Sequence, residues 1–285
     1  MTSNPPAAEP TPAADDLPAA RPSAAPAERP PIDAAARNLD LRFVLVRTSH
    51  PGNIGSAARA IRTMGFTRLH LVAPQRFPHA DASAMAAGAD DVLAEVAISA
   101  TLEEALADCT LALGCTARQR AVQLEELPPA AAAERLVRAA PQGPVALVFG
   151  NERTGLENSE LQLCHAAVHI PSAADFPSLN LAQAVQLLAW EVRRTLLAAT
   201  PTAAADSGEA LATVAQLEHF FAHLAQTLDD IDFHKGRSPV TIMKRLRRLF
   251  LRTGLEQREV RILRGIFDDA QRMAKAAKAA RAGIE

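Results

Sequence analysis

Three turns concentrate the residues of this 285-residue chain that could bind or react. The first is "SHPGNIGSAARAIRTMGF", Ser49 to Phe66, where Gly52 and Gly55 flank Asn53. Ile54, Ala57, Ala58 and Ile61 then recur at the i, i+3, i+4, i+7 spacing of a buried helical stripe. Arg59 falls opposite that stripe, so its guanidinium points away from the core. Taken alone, it is a solvated arginine. The second turn, "VALVFGNERTGLENSEL", leaves a buried strand through Gly150, Asn151, Glu152, Arg153 and Gly155. It places an amide, a carboxylate and a guanidinium at a strand's carboxyl end, where open α/β sheets bind ligands. An ordinary capped turn accounts for it equally well. The third, "VHIPSAADFPSLNLAQAVQLLAWEV", leaves a strand at Ile170, passes two prolines and enters a helix whose first turn holds Ser178 and Asn180. Ser178 reads as the N-cap. Leu181, Ala184, Val185, Leu187, Leu188 and Trp190 cover more than one face of that helix, which reserves one face for a second copy of the chain.

Other chemistries lack their signatures. No strand is followed by G-x-x-x-x-G-K-[ST] or G-x-G-x-x-G, which disfavours ligands held through a polyphosphate. The eight histidines form no H-E-x-x-H, and there is no G-x-S-x-G elbow, so neither metal nor serine-hydrolase chemistry is indicated. Cys109, Cys115 and Cys164 are odd in number and form no C-x-x-C pair, which suits a reducing cytoplasm. No apolar run reaches the roughly 18 residues of a membrane span, and no export signal opens the chain. A net charge of −2 rules out a uniformly basic protein, so nucleic acid would have to be met by a local patch.

The elements that must position these turns follow from composition and period. Residues 1–38 hold nine of the twenty prolines in an Ala/Pro background and are expected to be disordered. Short apolar runs at 43–46, 69–72, 111–113, 145–149 and 168–170 alternate with helical patterns over 39–198, which predicts a parallel α/β sheet. Residues 199–208 read as a linker, and 209–285 as an all-α module with helices near 209–230, 239–252 and 257–280. The segment "KGRSPVTIMKRLRRLFLR" carries seven Lys/Arg and no Asp/Glu. It is a basic amphipathic helix, whose Lys235, Arg237, Lys244, Arg245, Arg247 and Arg248 are candidates for binding RNA phosphates. With only 4% aromatic residues, recognition through backbone and shape is expected rather than base stacking.

In order and spacing, "GNIGSAARA", "LVFGNERTGL" and "IPSAADFPSLNLAQAV" resemble the three motifs of the SpoU branch of the SPOUT RNA methyltransferases. The likeness spans about residues 41 to 270. It implies an S-adenosylmethionine pocket built by a C-terminal trefoil knot in the sheet domain, and a homodimer; with no ligand cluster in the sequence, no metal is expected. Carried over by position, it puts the cofactor against Cys115, Thr116, Ala117, Gly150, Glu152, Ile170, Pro177, Ser178 and Leu179. It makes Arg59, Ser178 and Asn180 the catalytic group, with Asn180 bracing the loops. A sulfonium cation has no phosphate, which accounts for the missing phosphate loop. Among SpoU enzymes the likeness is greatest to the type that 2′-O-methylates the ribose of nucleotide 32 in the tRNA anticodon loop. "HFFAHLAQTL" and "MKRLRRLF" in the helical module carry that part. That type commonly has Arg at the place of Asn151 and Tyr at the place of Phe176. A SpoU enzyme acting at another tRNA position or on ribosomal RNA, and a non-catalytic RNA-binding protein, stand as alternatives.

Overall fold

The computed structural model describes residues 36, 39–117, 124–198 and 210–282. The expected linker and, but for Ala36, the expected tail lie outside the described residues. Seven strands form one sheet: β1 (Leu41–Val46), β2 (Leu69–Val72), β3 (Ala97–Ser99), β4 (Leu111–Cys115), β5 (Glu126–Leu127), β6 (Val145–Phe149) and β7 (Ala166–Val168). Their order is β3-β2-β1-β6-β4-β7-β5, and every pairing is parallel. Helices α1 (Pro51–Thr63), α2 (Ala80–Ala86), α3 (Asp90–Ala94), α4 (Leu102–Leu106), α5 (Pro129–Ala139), α6 (Asn158–Gln162) and α7 (Leu181–Ala198) connect and cover it. The parallel sheet read from the apolar runs is therefore observed. β3 and β5 were not foreseen, since three and two residues are too short to show a period. The last expected strand is displaced: β7 stops at Val168, with Pro171, which has no N–H to donate, close behind.

Alternate residues of β1 feed two cores. Phe43 and Leu45 pack with Ile54 and Ile61 of α1 and Val185 and Leu188 of α7 on one face. Val44 and Val46 pack with Leu106, Cys109, Leu161 and Cys164 on the other. Gly55 explains the small residues of the first turn. A Cβ there would lie 1.9 Å from the carbonyl oxygen of Ala82, so glycine lets α1 cross α2 in near backbone contact. What this turn approaches is another helix.

Among the described residues that follow, the regular elements are helices: α8 (Val214–Asp230), α9 (Pro239–Thr253) and α10 (Gln257–Ala282). α8 starts later than expected because Thr213 and Gln216 form a capping box that fixes its first turn. Phe220 is the hub, with ring centroids 5.0 to 5.4 Å from Phe250, Phe221 and Phe267. The module docks through backbone bonds from Val214 N–H to Cys109 O (2.8 Å) and Ala215 N–H to Ala107 O (3.2 Å). Among the described residues no helix is long and apolar enough to cross a membrane.

Candidate active site

The carboxyl ends of β4, β6 and β7 open into a cleft of about 1000 Å³, counted out to its mouth. Its walls include Cys115, Thr116, Ala117, Gly150, Glu152, Ile170, Pro177, Ser178 and Leu179, the nine positions to which the resemblance assigned the cofactor. Sequence reasoning missed Phe149, Leu181 and Ala184, which supply apolar wall, whereas Asn151, Arg153 and Gly155 of the β6 turn, which it did single out, line the cleft together with Thr154. At Gly150 a Cβ would stand 2.1 Å from the backbone of Gly155 and Leu156, so only glycine lets this turn fold back on itself. Asn151 shapes the turn from within. Its side-chain amide donates to Arg47 O (2.6 Å), and its Oδ1 accepts from Arg153 N–H (2.9 Å). The Cys115 thiol, pushed up to about 12 by burial, stays protonated and packs as an apolar group.

Glu152 ties the first turn to the second. One carboxylate oxygen accepts from Ser49 N–H (3.0 Å) and Ser49 Oγ (2.8 Å), the other from His50 N–H (3.2 Å) and Asn53 Nδ2 (2.9 Å). It thereby caps α1, whose own N-cap residue His50 makes no side-chain cap bond. Burial raises its pKa, but the bonds from Asn53 and Ser49 outweigh burial and hold it down at about 2. The third turn joins through Asn180, whose Nδ2 donates to Asn53 Oδ1 (3.1 Å). Glu152, Asn53 and Asn180 thus form one chain of side chains linking all three motifs. Asn180 also caps α7, its Oδ1 accepting from Ala182 N–H (2.9 Å). This corrects the reading of Ser178 as the cap: the helix begins at Leu181, and Ser178 lies in the cleft wall.

Arg59 is exposed on α1, as the stripe required, and its guanidinium makes no hydrogen bond or ion pair among the described residues. Neither it nor Asn180 belongs to the cleft wall of its own chain. The six basic candidates of the helical module divide. Lys235, Lys244, Arg245 and Arg248 are exposed. Arg237 donates to Phe233 O (2.8 Å) and His234 O (3.1 Å) and lies over the Phe233 ring. Arg247 is committed to the fold: it donates to Gln162 O (3.0 Å), pairs with Glu218 and sits 4.4 Å over the Phe221 ring. Among the described residues no group of three His, Cys, Asp or Glu could hold a metal ion.

Comparison with known proteins shows which family the chain belongs to. Residues 40–190 match the SpoU rRNA methylase family, and residues 215–279 match the C-terminal domain of the tRNA methyltransferase TrmJ. The chain belongs to the SpoU methylase family, and so to the methyltransferases. It is 47% identical over 244 residues to the tRNA (cytidine/uridine/adenosine-2′-O-)-methyltransferase TrmJ of Pseudomonas aeruginosa strain UCBPP-PA14, covering 82% of this chain and 95% of that one. It is 46% identical over 239 residues to the tRNA (cytidine/uridine-2′-O-)-methyltransferase TrmJ of Yersinia enterocolitica, covering 83% and 93%. The crystal structure of TrmJ from Z. mobilis ZM4 superposes with a TM-score of 0.68 at 34% identity, over 80% of this chain and 97% of that one. The resemblance carried by the three turns is borne out, and it extends through the helical module.

Proposed function

We propose that this chain uses S-adenosylmethionine to methylate the 2′-hydroxyl of a ribose in tRNA, at nucleotide 32 of the anticodon loop, as a cytoplasmic homodimer with a knotted sheet domain. One observation carries the reading. Nine residues drawn from three separate stretches of sequence line a single cleft at the switch side of a parallel sheet. The cleft fits the cofactor: Phe149, Ile170, Leu179, Leu181 and Ala184 give it apolar wall, Thr116, Asn151, Arg153, Thr154 and Ser178 add polar side chains, and its one acidic wall residue, Glu152, is satisfied within the fold. Ile170, Leu179 and Leu181 would enclose the cofactor's apolar surface, and the turns at 115–117 and 150–155 would present backbone donors and acceptors. When bound, the sulfonium supplies an electrophilic methyl group and needs no metal.

The chain's own residues supply position and charge. Arg59 carries a permanently charged guanidinium on an exposed helical face, suited to holding the target nucleotide's phosphate and stabilising the alkoxide that develops on its ribose. The Glu152–Asn53–Asn180 chain keeps the loop of α1 in register with the cleft. Leu187 and Trp190, exposed on α7, are the face for the second copy. Lys244, Arg245 and Arg248 on α9 are the phosphate-binding patch. Mapping 2′-O-methyl groups by mass spectrometry in total tRNA from a deletion strain and its parent tests the target. Loss at nucleotide 32 is expected. Loss at another tRNA position or in ribosomal RNA would reassign the substrate.

A further inference from the structure

His165 is a buried histidine that the proposed chemistry leaves unused. It stands just before β7, at the amino end of the sheet, whereas the cofactor cleft opens at the carboxyl ends. The residue is 6% exposed. Its Nδ1 accepts from the Ala112 amide at 3.1 Å, which fixes the neutral tautomer with the proton on Nε2. Burial first, then the nearby charge of Arg135, push the ring down to about 4, so it remains a neutral donor at ordinary pH. Nδ1 is held by the backbone, so Nε2–H is the donor this ring can offer to the space it lines.

That space is a groove that separates the sheet domain from α9, with His165 on one wall and Arg248 and Arg252 on the other. It runs on past Lys244 and Arg245 in one direction and past Arg138 and Glu134 in the other. Glu125, the carboxylate that lines this groove with His165, pairs with Arg135 at 2.9 Å. A fixed neutral donor flanked by guanidiniums is complementary to a tetrahedral oxyanion. We propose that this groove binds a phosphate group, with His165 Nε2–H and Arg252 donating to it, and that the phosphate is one from the RNA backbone. The inference rests on the reading of α9 as an RNA-binding helix, and extends the RNA path from that helix into the seam between the two modules.

The test uses the full chain labelled with 15N-histidine, titrated with sodium phosphate, with sodium chloride at equal ionic strength, and with an anticodon-arm RNA. The His165 ring nitrogens should shift with phosphate and with RNA, and not with chloride. Arg252→Ala, at an exposed position in the last turn of α9, should weaken tRNA binding about 5- to 10-fold and lower the slope of log affinity against log salt by about 1. A shift produced equally by chloride overturns the phosphate site. A shift with phosphate but not with RNA overturns the backbone assignment and leaves a site for free anions. The Lys244→Ala/Arg245→Ala double variant separates the two readings. If it loses tRNA affinity while Arg252→Ala keeps the wild-type slope, the groove fails and the patch stands. If only Arg252→Ala loses affinity, the patch fails and the groove stands.

Discussion

At Glu152 four donors converge on a single carboxylate, and removing its charge measures what that convergence is worth. Glu152→Gln keeps the shape but turns an amide N–H₂ toward groups that themselves donate, so we expect a loss of about 1–3 kcal/mol in thermal unfolding. The pH dependence has a definite sign. A carboxyl held at about 2, against 4.5 unperturbed, contributes stability that is full above about pH 4.5 and is lost as pH falls toward 2. The gap in Tm between wild type and Glu152→Gln should therefore close across that interval, and a gap constant with pH would contradict the assignment. The chemical types at this site were legible in sequence, because Asn53, Glu152 and Asn180 each occupy a short motif. Their partners were not, since Glu152 meets Ser49 across 103 residues of chain. Ser178 and Asn180 are both good caps two residues apart, and only the observed start of α7 decides between them.

Among the elements, α9 joins two tasks that periodicity could not separate. Its basic side chains read alike in sequence, yet Arg247 packs into the seam while Lys244 and Arg245 face outward. Arg247→Ala would strip Glu218 of its counter-charge, a carboxyl whose pKa burial already raises, and should cost roughly 2 kcal/mol or more of stability. Lys244→Ala should leave stability within about 0.5 kcal/mol while weakening tRNA binding. Chemical denaturation paired with a binding assay on both variants checks the division, and equal stability of the two would remove the structural role given to Arg247. α7 poses the same question with apolar residues. Leu187 and Trp190 stay exposed while Val185 and Leu188 are buried. Trp190→Arg should convert a dimer of about twice 30.3 kDa into a monomer by light scattering. A wild-type chain that is already monomeric at micromolar concentration would contradict the dimer face.

Across the whole molecule, the arginine proposed for the reaction and the basic residues proposed for RNA lie apart. Arg59 lies on α1, which covers one face of the sheet, and α9 reaches the other through Arg247, which donates to Gln162 O. A tRNA touching both must pass round the edge of the sheet or lie across two subunits, a constraint that no stretch of sequence states. The layered α/β plan and the helical module were legible because apolar runs and helical periods are local. The seam between the modules was not, since backbone bonds such as Val214 to Cys109 have no side-chain signature. Methyl transfer itself is the central claim, and in vitro methylation of an unmodified tRNA transcript tests it most directly. Purified protein with isotopically labelled S-adenosylmethionine, without added metal, should place one methyl group on the ribose of nucleotide 32. Arg59→Ala should abolish that transfer while calorimetric cofactor binding stays near wild type. Label recovered on a base instead of a ribose, or wild-type turnover by Arg59→Ala, would contradict the account.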